Sequence, residues 1–148
     1  MVLRGLMDRL VDTGLPEDAG RPVSLGELRD SVSRDLEDML NTRSEGARLI
    51  PEVFKECRAS SLTYGILDFS SYSVLSPQDR DRIRRSLEQT ITLHESRLTR
   101  VRVQLEPQRE ADRALRFRVD ALLDLGEDHE RVQFDAVLQV ATQLCSVR

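Results

Sequence analysis

The chain has 148 residues, 39% hydrophobic and 32% charged, with a formal net charge of -4. That size and balance suit one folded domain with a real core, and the negative sign excludes a global positive field for nucleic acid. Cys57 and Cys145 are too few and too far apart for a disulfide framework, and no apolar run is long enough to span a bilayer.

Met1 to Val11 reads as a short amphipathic helix, with Leu3, Leu6, Met7 and Leu10 on one side. Arg4, Asp8 and Arg9 interrupt its apolar residues, so it lacks the core of a signal peptide. Asp12 to Pro22 follows as a linker rich in breakers such as Gly14, Pro16, Gly20 and Pro22. The boundaries are therefore 1–23 for helix and linker and 24–148 for one domain. The first helix is either a frayed terminus or a docking helix offering Leu3, Leu6 and Leu10 to another protein.

Ser24-Leu25-Gly26-Glu27 is a capping box. Leu25, Leu28, Val32, Leu36 and Met39 then recur at helical spacing as far as Leu40, and Asn41 to Gly46 ends that helix. Between Arg48 and Ser60, Pro51 offers a start for a short helix carrying Val53, Phe54 and Cys57. Leu62 to Leu67 reads as a short strand or an ordered loop. Ser76-Pro77-Gln78-Asp79 opens a second long helix, with a serine cap, a proline in the first turn and an acid at the third position. Ile83, Leu87, Ile91 and His94 form its buried stripe. Arg80, Arg82, Arg84 and Arg85 oppose the helix dipole in its first turns, and Asp79, Asp81 and Glu88 are spaced to offset them.

Three runs of period two follow. Val101, Val103 and Leu105 alternate with Arg100, Arg102 and Gln104. Leu115, Phe117, Val119, Ala121, Leu123 and Leu125 alternate with Arg116, Arg118, Asp120 and Asp124. Val132, Phe134, Ala136, Leu138 and Val140 alternate with Gln133, Asp135 and Gln139. The fold class is accordingly α+β: N-terminal helices packed on one face of a C-terminal three-stranded antiparallel sheet.

No phosphate-binding glycine loop and no nucleophile elbow appears. His94 and His129 are too few for a histidine metal site; His94 suits a helix C-terminus and His129 a solvated hairpin. Cys57 reads as a buried structural thiol. No catalytic residue, cofactor or metal is expected. Two features need a physical account. Glu95 lies where helix carbonyls already make the potential negative, so a cation must hold it. Arg97 and Arg100 are candidates, either as a local pair fixing the helix-to-strand turn or as groups reaching a partner chain. The polar sheet face bears Arg100, Arg102, Arg116 and Arg118, and like charges opposite each other destabilise a ladder. Asp120, Asp124 and Asp135 relieve them in one reading; in the other, arginine forks receive a partner's carboxylates.

These residues resemble a known family. Ser31 to Arg43 resembles the first helix of TssE, a baseplate subunit of the type VI secretion system. Tyr64-Gly65-Ile66-Leu67-Asp68-Phe69 resembles its Tyr-Gly-x-x-Asp-Phe segment. Glu95-Ser96-Arg97-Leu98 before a strand is similar to the Glu-Pro-Arg-Leu motif shared with phage tail baseplate wedge proteins. Ser96 departs from the usual proline, which leaves the helix stop to its neighbours. The resemblance implies a non-enzymatic, cytoplasmic subunit that sits with TssF, TssG and TssK and starts polymerisation of the TssB–TssC contractile sheath. It implies no nucleic acid, no membrane insertion and no cofactor. Glu95 and Arg97 would then anchor the corner against a neighbour, and an open sheet margin would receive a strand. A wedge protein of a phage or another contractile injection particle is the alternative, with a murein hydrolase as the rival from another class.

Overall fold

The computed structural model describes residues 23–44, 49–107, 114–126, 128–139, 142 and 144–148. The amphipathic segment bearing Leu3, Leu6 and Leu10 lies outside them. Helix α1 spans Leu25–Asn41 and begins as its capping box dictates: Ser24 Oγ accepts the Glu27 N–H at 3.2 Å, and the Glu27 carboxylate accepts the Ser24 N–H at 2.9 Å. Its inner stripe of Leu28, Val32, Leu36, Met39 and Leu40 is buried. Helix α2, Lys55–Arg58, is shorter than the stretch marked by Pro51, and Val53, Phe54 and Cys57 stay exposed.

Leu62 to Leu67 forms neither a full strand nor a plain loop. A 3₁₀ turn at Ser61–Thr63 leads to one parallel bridge between Arg43 and Ile66. The bridge is locked by Ile66 N–H to Thr42 C=O at 2.9 Å and Ser44 N–H to Ile66 C=O at 3.0 Å. Gly65 makes this possible. Its φ of +108° suits glycine, and an added Cβ would lie 2.5 Å from the Thr42 carbonyl oxygen.

Helix α3, Pro77–His94, is capped by Ser76, whose side chain accepts the Asp79 N–H at 3.3 Å. Ile83, Leu87 and Ile91 are buried while His94 is half-buried. The crowded arginines are offset as their spacing suggests. Arg84 reaches Asp81 at 3.0 Å and Glu88 at 3.2 Å, and Arg85 reaches Asp81 at 2.7 Å.

The sheet has strands β1 (Leu98–Leu105), β2 (Ala114–Asp124), β3 (His129–Gln139) and β4 (Cys145–Val147), in that spatial order and antiparallel throughout. The class is α+β, with four strands where the periodicity indicated three. A three-residue strand with two inward positions, Cys145 and Val147, is too short to show alternation. The inward positions of all four strands join the helical stripes in one core. Helix α3 packs along β1 and α1 along β4.

The sheet margins decide what another chain can reach. The β4 margin is capped by α1: Asn41 holds both backbone groups of Cys145, and Glu37 accepts the Val147 N–H at 2.8 Å. On β1, Glu88 of α3 accepts the Val103 N–H at 3.1 Å. On β3, Asp135 and Arg148 exchange N–H···O=C bonds at 2.9 Å, and pairing with β4 stops there. Strand alternation then turns the backbone groups of Gln133 and Arg131 away from β2 as well. Arg29 of α1 donates to the Gln133 carbonyl at 3.1 Å. The remainder of that outward row, toward His129, has no strand beside it among the described residues.

Candidate functional site

Two constellations were singled out by the residues, the corner between α3 and β1 and the polar face of the sheet. At the corner, Glu95 is the C-cap of α3. It is only 7% exposed, so its carboxylate must be paired or protonated. Arg97 supplies the pairing. Its Nε donates to Glu95 Oε1 at 2.8 Å and its Nη2 to Oε2 at 2.6 Å, a two-pronged contact, while its backbone N–H donates to Oε1 at 3.1 Å.

The same guanidinium reaches α1. Nη1 donates to Ser31 Oγ at 3.2 Å, and Nη2 also donates to the Asp35 carboxylate. One arginine thus ties the end of α3, the start of β1 and the middle of α1. Hydrogen bonds donated to Glu95, then the charge of Glu95, and the bond donated to Asp35 with its charge hold the guanidinium protonated more firmly than usual, against the opposing effect of burial. Tyr64 lies nearby, and burial first, then Asp35, Asp38 and Glu95, raises its hydroxyl pKa.

Of the two alternatives for Glu95 and Arg97, this geometry is that of the local pair, extended to α1. The pair is turned into the monomer and makes its contacts there, because a carboxylate at a helix C-terminus is tolerated only where a cation is bound to it. Arg97, and not Arg100, is that cation. The residues missed were Ser31 and Asp35. Their i, i+4 spacing on the first helix put a hydroxyl and an acid on one face, but nothing local tied that face to Arg97, sixty-odd positions away.

On the polar face the acids relieve part of the charge. Arg118 Nε donates to Asp135 at 2.8 Å, which holds the guanidinium protonated more firmly. Asp120 accepts from Gln133 Nε2 at 2.6 Å, and Asp124 accepts the Gly126 N–H at 2.8 Å. Arg102 is separated from Glu88 by 3.8 Å, with its side chain 76% exposed, and Arg116 is exposed. Arg100 sits in a β-bulge. Thr99 pairs with Leu122 and Arg102 with Asp120, so Arg100 and Val101 together face Ala121. Its φ is +52°, a left-handed conformation unusual for a non-glycine residue. Arg29 and Arg131 adjoin this face and were not foreseen: Arg29 comes from α1, and Arg131 stood outside the strand alternation as read.

No helix of the described residues is long and apolar enough to cross a membrane, and no group of three or more metal-ligating side chains is found among them.

Fold and geometry together define a small α+β domain whose helices are tied to its sheet by charged side chains and whose other sheet face carries several exposed arginines. A family profile described as baseplate wedge protein gp25 matches residues 26–128, and the chain belongs to that family, which includes TssE. It is a family of structural subunits of contractile-particle baseplates. No curated protein matches the chain.

Proposed function

We propose that this wedge subunit acts in a type VI secretion baseplate, without catalysis, and provides the surface on which the first TssB–TssC sheath layer assembles. In this reading TssF, TssG and TssK hold it in the wedge, in the cytoplasm, and Leu3, Leu6 and Leu10 form the face of a docking helix for one of them. The observation that carries the reading is the uncovered β3 margin. The β4 margin is capped by Asn41 and Glu37 and part of β1 by Glu88, whereas the outward groups of β3 beyond Asp135 have no strand beside them among the described residues. An extended arm adding there gains main-chain hydrogen bonds.

Glu95 and Arg97 serve this function indirectly, by fixing the angle between the helices and the sheet. Arg100, Arg102, Arg116 and Arg118 face the incoming subunits. Co-expression with TssF, TssG and TssK followed by size measurement tests the wedge assignment; a complex of defined size is expected. Co-purification with phage tail proteins instead, and none with the secretion subunits, would move the chain to a phage or another injection particle. Turnover of purified peptidoglycan, lost on changing one acid, would overturn the non-catalytic reading.

A further inference from the structure

The outer face of the sheet holds a groove of about 650 Å³ that takes residues from α1, β1, β2 and β3. Its basic side chains are Arg29, Arg100, Arg102 and Arg131, and its single acid is Asp120. Asp120 is already bonded to Gln133 at 2.6 Å. Arg29 is fixed by the Gln133 carbonyl at 3.1 Å and lies 6.0 Å from the centre of the Phe134 ring. Arg102 has only the long 3.8 Å approach to Glu88 Oε1, while Arg84 at 3.2 Å and the Val103 N–H at 3.1 Å share the other oxygen, Oε2, of the same carboxylate. The side chains of Arg100 and Arg131 have no hydrogen bond or ion pair among the described residues.

Like charges gathered on one sheet face destabilise the ladder. The left-handed backbone of Arg100 carries strain that glycine would avoid. A bulge of this kind re-aims a side chain, and strain retained at an exposed position points to use. On a chain of net charge -4, the concentration of positive charge in one groove is a local feature and not the chain's general character.

We propose that this groove receives an acidic extended segment of a partner protein, its carboxylates held by the forks of Arg100, Arg131 and Arg102 with Arg29 closing the side toward α1. The proposal rests on the wedge reading only in taking the occupant to be a protein. A duplex nucleic acid fits less well, because Asp124 and Asp135 lie on the same face of the same strands as the arginines and would repel a continuous phosphate backbone.

The test uses the full chain and a fluorescein-labelled octapeptide of alternating Glu and Thr, compared with its Gln–Thr counterpart by fluorescence anisotropy at low and high salt. The Glu–Thr peptide is expected to bind at low salt, to weaken at high salt, and to bind at least about tenfold more weakly to Arg100→Gly and to Arg131→Gln. Arg85→Gln, on the far side of α3, should bind as the parent does. Equal binding of the Gln–Thr peptide, absence of Glu–Thr binding, or undiminished binding by both groove variants would overturn the proposal. So would a short DNA duplex that binds more tightly than the Glu–Thr peptide and loses affinity in the same variants. These results read the groove alone; failure here leaves the baseplate assignment, which is read by co-purification, untouched.

Discussion

Asn41 pairs with Cys145 much as a neighbouring strand would. Its Nδ2 donates to the Cys145 carbonyl at 2.9 Å, and its Oδ1 accepts the Cys145 N–H at 2.7 Å. The last turn of α1 thereby finishes the sheet at β4, on the side where an unpaired strand would otherwise invite another chain.

Replacing Asn41 with Ala removes both bonds at a partly buried site. We expect a loss of about 1–3 kcal/mol, seen in denaturant melts, and concentration-dependent self-association as the β4 margin opens. Parent-like stability together with a strict monomer would show that β4 needs no cap.

The Arg97 staple makes an unequal pair of predictions. Arg97→Ala strands the Glu95 carboxylate, only 7% exposed, and should cost about 3–5 kcal/mol. Glu95→Gln keeps the shape and leaves Arg97 its Asp35 partner, so the loss should be smaller. Charge reversal at either position should unfold or loosen the domain and not merely block docking. Equal and negligible effects in thermal melts would return the pair to the surface role read from the sequence.

Gly65 and Gly126 share a positive φ, +108° and +94°, but differ in surroundings. At Gly65 a Cβ meets the Thr42 carbonyl carbon at 2.8 Å, whereas at Gly126 nothing lies within 4 Å. Gly126→Ala should therefore cost only the left-handed penalty, about 1–2 kcal/mol. Gly65→Ala should cost more and break the Arg43–Ile66 bridge, visible as lost amide protection at Ile66. Similar melting temperatures for the two variants would contradict this.

Burial first, then the charge of Glu37, pushes the Cys145 thiol pKa up to about 12 from an ordinary value of 9.0. The folded state therefore keeps a proton that the unfolded chain releases. Stability from this group is complete below pH 9 and falls as pH rises toward 12, by at most about 1.4 kcal/mol per pH unit. Tyr64, also raised, acts in the same direction. Cys145→Ala should flatten the alkaline part of the stability profile relative to the parent; an unchanged slope would refute the assignment.

Much of the architecture was legible because it is periodic. The capping box at Ser24, the Ser76-Pro77 start and the alternation through Val101, Phe117 and Phe134 each follow a local rule that tertiary contacts did not override. What stayed hidden is non-local. β4 is defined by Asn41 and Glu37, more than a hundred positions earlier in the chain. The Leu62–Leu67 stretch takes its form from Gly65 fitting against Thr42. Glu95 was rightly read as needing a cation, but whether its pair faced in or out depended on Ser31 and Asp35. The arginine groove was half visible in Arg100 and Arg102; Arg29 and Arg131 join it only when α1 and β3 are brought together.

The account turns on β3 offering its free margin to the contractile sheath. A photo-crosslinking residue placed at Arg131, in cells whose only copy of the chain is the substituted one, reads that contact directly. The account predicts an adduct with a TssB–TssC sheath subunit that appears only when sheath assembles. Adducts confined to other baseplate subunits, formed while sheath assembles normally, would contradict it.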